Sequence, residues 1–317
     1  MRNRLLDVFK PVCRCLLVVV TLLSAHAHAQ QEAPSAEALL AEMSRALREL
    51  NYSGTFSFEH GGMLETLKLV HRVVDGEEVE WLEHLNGPVR NLERRGLKPT
   101  CLTLSERLAR GNFQSEVIAF NGLSQHYHFS IKGKQRVAGR QARVLHVVPR
   151  DEYRYGYTLF LDEVTSLPLL TMTLNNRRRV LERMQFSQLL VGDKAEQPGS
   201  GAAQMKQVGS DICDYMMDSQ ARWSLGWVPS GFVLTSFNKH DDKGESLSFT
   251  DGLSTFSVFL QPQSETLSYQ GNAQRGASVV VMQQLRNNES GYTVSVVGEI
   301  PVVTAERVAA SVQFGEG

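Results

Sequence analysis

The sequence is poor in cysteine, with four in 317 residues, which excludes a small fold stapled by disulfides. It has no excess of either charge: 33 Lys and Arg stand against 34 Asp and Glu, so nothing in the balance points to nucleic acid. Beyond the first thirty residues no apolar run approaches the ~18 needed for a membrane-spanning helix. Catalytic signatures are missing too. There is no G-x-S-x-G elbow, H-E-x-x-H helix, P-loop or dinucleotide fingerprint. The 42% hydrophobic content is ordinary for a folded chain and excludes wholesale disorder.

What is present begins with an address. Arg2, Arg4, Lys10 and Arg14 precede the apolar run Cys15–Ala25, and Ala25, Ala27 and Ala29 offer a small-residue cleavage site. Residues 1–29 therefore read as a secretory signal peptide, and the rest as an exported protein without a transmembrane helix. Cys13 and Cys15 do not follow the apolar run, so lipid modification is not expected. Cys101 and Cys213 remain in the mature chain. In an oxidising compartment they form a disulfide or stay as two buried thiols, and both readings stand.

Ser35 opens a helical pattern in which Ala36, Leu39, Leu40, Met43, Leu47 and Leu50 share one face. From Gly54 to Leu190 the period changes to two, predicting about eight antiparallel strands. These cover 54–59, 64–73, 78–85, 125–137, 140–148, 153–161, 167–174 and 178–190, with turns at Asn86-Gly87-Pro88 and Ala138-Gly139. Residues 194–211, rich in Gly, Ala and Ser, read as a linker between a domain at 30–193 and a smaller one at 212–317. Five strands are expected in the second, then a short helix capped by Thr304. The first domain carries net +1 and the remainder net −5. The layout is α+β.

Candidate chemistry is sparse. His126 and His128 form an H-x-H pair with no third ligand at suitable spacing, so no metal or cofactor is expected. No nucleophile sits with a base, and the chain is read as a binding protein rather than an enzyme. The positive feature is an aromatic-bearing sheet with few helices to cover it, which either leaves a lined cavity or packs into a filled core.

Several stretches resemble the MucB/RseB family: NYSGTFSFE at Asn51–Glu59, VAGRQARVLHVVPRDEYRYGY at Val137–Tyr157, LPLL at Leu167–Leu170 and VLERMQFSQL at Val180–Leu189. In the second half WVPSGF at Trp227–Phe232, FTDGLSTFSVFL at Phe249–Leu260 and VVGEIPVVTAERV at Val296–Val308 continue the likeness, nearer to the MucB branch. The resemblance implies an unclosed antiparallel β-barrel of the LolA/LolB type with covering helices, followed by a smaller α+β domain. It also implies a periplasmic regulator. Such a protein binds the periplasmic part of a single-pass anti-sigma factor, shields it from site-1 proteolysis and keeps an envelope-stress sigma factor inactive. Lipid or lipopolysaccharide would release it. The other reading is a periplasmic carrier or chaperone for lipoproteins or lipids. A homodimer is compatible with either.

For the lipid pocket the candidates are Phe56, Phe58, Leu67, Leu69, Trp81, Leu82 and Phe120. For the partner groove they are Arg150, Arg154, Trp227 and Phe256, on the side facing between the domains. Arg150, Asp151, Arg154 and Tyr155 match the family's charged turn, where Asp151 with Arg154 at a tight hairpin is at least as good a reading as ligand contact.

Overall fold

Alternating apolar residues from Tyr52 onward build a ten-stranded sheet, seen in a computed structural model that describes residues 34–95, 122–196, 206–207, 221–239, 244–263, 269–287 and 290–314. The signal segment, Cys101, Phe120, Cys213 and most of the expected linker lie outside the described residues. From Ala36 onward the chain forms one compact unit.

Helix α1 (Ala36–Glu49) has Glu37 in its first turn and Arg48 in its last, both favourable to the helix dipole. Its buried face carries Leu39, Leu40, Met43, Ala46 and Leu47. The first sheet then runs β1 (Tyr52–His60), β2 (Met63–Val74), β3 (Glu77–His84), β4 (Asn91–Arg95), β5 (Tyr127–Val137), β6 (Arg140–Pro149), β7 (Gly156–Asp162), β8 (Pro168–Leu174), β9 (Val180–Val191) and β10 (Lys206–Gln207). Its spatial order is β10-β4-β3-β2-β1-β9-β8-β7-β6-β5, antiparallel except for β10 on β4. Among the described residues the end strands β5 and β10 do not pair with each other, so the barrel is unclosed. The helical face of α1 and the inward residues of this sheet make one core.

The second lobe has a short ribbon of β11 (Trp223–Leu225) with β18 (Val312–Phe314). Its main sheet comprises β12 (Val233–Lys239), β13 (Glu245–Thr250), β14 (Thr255–Pro262), β15 (Gly271–Arg275), β16 (Ser278–Asn287) and β17 (Ser290–Gly298), in the order β12-β13-β14-β17-β16-β15. A short helical turn, α2 (Leu123–His126), precedes β5, and α3 (Val302–Ala310) packs Ala305, Val308 and Ala309 into the second core. The expected architecture, a large open sheet with a covering helix and a smaller α+β lobe, is the one observed.

Four local expectations are corrected. The strand expected at 153–161 starts at Gly156, because residues 150–155 leave the sheet to meet the second lobe. The strand expected from 125 is preceded by α2, so His126 sits in a helical turn and His128 in β5 rather than both on one strand face. Thr304 is not the cap of α3: Pro301 precedes the helix, and Thr304 is buried one turn in. Lys206–Gln207, inside the expected linker, pairs with β4.

Candidate functional site

Two regions collect the residues singled out by sequence. The first is the helix-covered face of the open sheet. In β1, Tyr52, Gly54, Phe56 and Phe58 share a face, and the register sets Phe56 opposite Leu67 and Gly54 opposite Leu69. Leu69 in turn lies opposite Leu82. Phe56, Leu67 and Leu69 are buried in the first core, with Phe58 and Leu82 packed at its margin. Trp81 pairs with Val70 and points to the other face, because neighbours along a strand alternate. Five of the seven candidate pocket residues thus share one surface and Trp81 does not.

The second region is the joint between the lobes. Arg154 is completely buried there. Its Nε donates to both carboxylate oxygens of Asp151 at 3.0 and 3.1 Å, closing the tight turn read from sequence. Its Nη1 donates to Asp251 Oδ2 at 2.7 Å, and Nη2 donates to the Ser230 carbonyl of the second lobe. The rings of Tyr127 and Phe232 flank the guanidinium, 5.5 and 5.2 Å from its carbon. A buried cation is tolerable only with such saturation of its donors.

Asp251 is equally enclosed, its side chain at 0% exposure like that of Arg154. Tyr127 Oη donates to its Oδ2 at 2.8 Å, while Oδ1 accepts the amides of Leu253 and Ser254 at 2.9 and 2.8 Å. The Asp251-Gly252 turn is therefore also the anion of an interlobe ion pair. Burial, then the Asp251 charge, hold the Tyr127 hydroxyl well above its ordinary range, so it remains a donor. Burial and then Arg154 lower the pKa of His126, which favours a neutral ring against Gly231.

Further bonds tie the lobes. Tyr155 Oη donates to the Ile300 carbonyl at 3.0 Å, Tyr157 Oη and Ser254 Oγ lie 2.9 Å apart, and Thr304 Oγ1 donates to the Tyr153 carbonyl at 3.1 Å. Leu253 and Ala277 of the second lobe insert into the first core. At the rim, Arg307 stacks 4.0 Å over Trp227 and donates to Tyr153 Oη at 2.8 Å, while Tyr153 meets Trp227 edge-on. The Tyr155→Phe variant removes one cross-lobe donor and is expected to lower stability by about 1 kcal/mol, read from the urea midpoint.

The four partner-groove candidates fall at different depths. Arg150 is exposed and caps α2 through the Ser124 carbonyl; Trp227 is half-buried at the rim. Arg154 lies inside the joint, and Phe256 lies in the second core between Phe232 and Phe249. Sequence reasoning passed over Tyr127, Tyr153, Glu182, Thr304 and Arg307 as joint residues. The only sequence signal for Tyr153, Glu182, Thr304 and Arg307 is position within the family-like stretches, and Tyr127 lies outside them. Among the described residues no group of His, Cys, Asp and Glu is placed to hold a metal ion, and no helix is long and apolar enough to cross a membrane.

Comparison with known proteins gives concordant results. Residues 35–208 match the family model described as the MucB/RseB N-terminal domain, and 217–313 match the MucB/RseB C-terminal domain. The sigma factor AlgU regulatory protein MucB of Pseudomonas aeruginosa is 36% identical over 293 residues, covering 89% of this chain and 92% of that protein. The sigma-E factor regulatory protein RseB of Escherichia coli K12 is 28% identical over 312 residues, covering 93% and 94%. A crystal structure of MucB in complex with MucA(peri) superposes with a TM-score of 0.69 at 32% identity, covering 89% of this chain and all of that one.

Proposed function

This chain belongs to the MucB/RseB family, and on that premise we propose that it is a periplasmic regulator of a sigma factor, acting on a MucA/RseA-like anti-sigma factor in the membrane. It binds that partner's periplasmic domain and shields it from the first proteolytic cut, so the cytoplasmic sigma factor stays sequestered. The observation that carries this reading is the likeness, over 89% of this chain and all of the other, to a MucB chain crystallised with MucA(peri).

The physical logic is occupancy. A protease acts on the free partner, and the free fraction falls as the regulator exceeds its Kd. A micromolar contact corresponds to about 8 kcal/mol. A lipid or lipopolysaccharide releases the partner only if it favours the unbound form by a comparable amount. An acyl chain gains about 0.8 kcal/mol per buried CH₂, so burying about ten methylenes is commensurate with that contact. The apolar face bearing Phe56, Phe58, Leu67, Leu69 and Leu82 is our proposed seat for the chain. The rim around Arg150 and Trp227, backed by Arg154 and Phe256, is our proposed partner surface.

The test is a cleavage time course on the partner's purified periplasmic domain with its site-1 protease. Adding this protein should slow cleavage in proportion to occupancy, and adding lipopolysaccharide should restore the rate. Unchanged cleavage on adding the protein removes the shielding role. Slow cleavage that persists with lipopolysaccharide bound removes the release step alone.

A further inference from the structure

We propose that Glu182 of the first lobe, seated in the β15–β16 hairpin of the second, is a proton-operated latch between the lobes, closed when its carboxyl is protonated. Glu182 lies on β9 with only 6% exposure. Its Oε1 accepts the Ala277 amide at 2.9 Å, a bond that crosses from one lobe to the other. Gly276 comes so near that an added methyl would overlap the carboxylate, so the hairpin tip forms a close socket around it.

The charged and titratable surroundings do not favour an anion. Glu299, itself 1% exposed, brings a second acidic group from the end of β17. Tyr155, ahead of β7, is held well above the ordinary phenol range by burial and then by Glu182 and Glu299, so it presents a neutral hydroxyl to the same region. Its Oη donates to Ile300 and accepts from Gln274 Nε2. On β1, His60 is the cross-strand neighbour of Glu182, with Glu65 3.7 Å from its ring. From the hairpin, Arg275 turns its guanidinium to Met63. On β8 the neighbour is Thr173, which has no charge. Burial, then Glu299, raise the Glu182 carboxyl from 4.5 to about 7, against a smaller opposing effect of the Ala277 amide.

The sign follows from linkage. The closed form keeps a proton that the open form, with an ordinary glutamate, releases between pH 4.5 and about 7. Closure therefore takes up a proton and is favoured by acid. As pH rises through that window, the closing equilibrium weakens by up to about tenfold per unit, and it becomes independent of pH on either side.

The experiment is amide hydrogen exchange on the full mature chain between pH 5 and 7.5, with rates converted to protection factors so that intrinsic pH chemistry cancels. Protection at Ala277 should fall at least about tenfold across the window, while Ser248, in the interior of the second sheet, stays constant. Glu182→Gln retains an acceptor oxygen but carries no charge, so its Ala277 protection should be flat and high. Glu299→Gln removes the second acidic group and should move the fall to lower pH. Equal pH dependence in wild type and Glu182→Gln would overturn the latch. So would constant wild-type protection at Ala277, or a parallel loss at Ser248.

Discussion

Replacing Arg154 with alanine is expected to cost about 3–5 kcal/mol of stability, read as a drop in the urea midpoint. Removing the guanidinium leaves the Asp251 carboxylate, at zero exposure, without its cation. It also leaves the Ser230 carbonyl without this donor and Asp151 without both bonds from Nε, keeping the Tyr153 amide. The cost comes from a stranded charge, not from the net worth of the pair, which burial offsets on both sides. An Arg154→Met, Asp251→Asn double variant, which keeps an uncharged Oδ1 acceptor for the Leu253 and Ser254 amides, should therefore recover part of the loss. A deficit under about 1 kcal/mol in Arg154→Ala would match a solvated surface pair and would mean the lobes do not close over it in solution.

Gly54→Ala is expected to lower stability by about 3 kcal/mol by overpacking. Gly54 sits within β1, between β2 and β9, and a Cβ there would press into the Gln188 carbonyl oxygen and stand 2.8 Å from two carbons of the Phe186 ring. The ring can yield, but the carbonyl belongs to the sheet backbone. Gly54→Ala with Phe186→Leu should recover only part of the loss, measured by thermal unfolding. Full recovery would show that the strand itself tolerates the methyl and that the ring alone demands glycine. The neighbouring register shift between Thr55 and Phe56 leaves Ser187 of β9 as the extra residue of a bulge beside this contact.

Periodicity made much of this molecule readable. The 3–4 residue spacing of Leu39, Leu40, Met43 and Leu47 marks a helix that buries those residues. Ala138-Gly139 turns between β5 and β6 as its composition suggests, with both residues at positive φ. Elements without an apolar pattern were harder to see. Gly271–Arg275 (GNAQR) is a polar edge strand that, among the described residues, pairs with β16 alone, so no alternation announces it. Asn91–Arg95, also largely polar, enters the sheet by pairing with β3.

The sequence alone determined the family, the open β-rich lobe with its helix, the smaller α+β lobe and the face shared by Phe56 and Phe58. Those properties follow from local spacing and from motifs whose order survives along the chain. Tertiary structure decided the destinations of polar side chains. Arg154 meets a carboxylate 97 positions away, and Glu182 an amide 95 positions away. Turn chemistry identifies Arg154 with Asp151 because they are three residues apart. Nothing local can say that a second lobe will arrive to strip the water from them, and desolvation is what converts an ordinary turn and a strand glutamate into the joint.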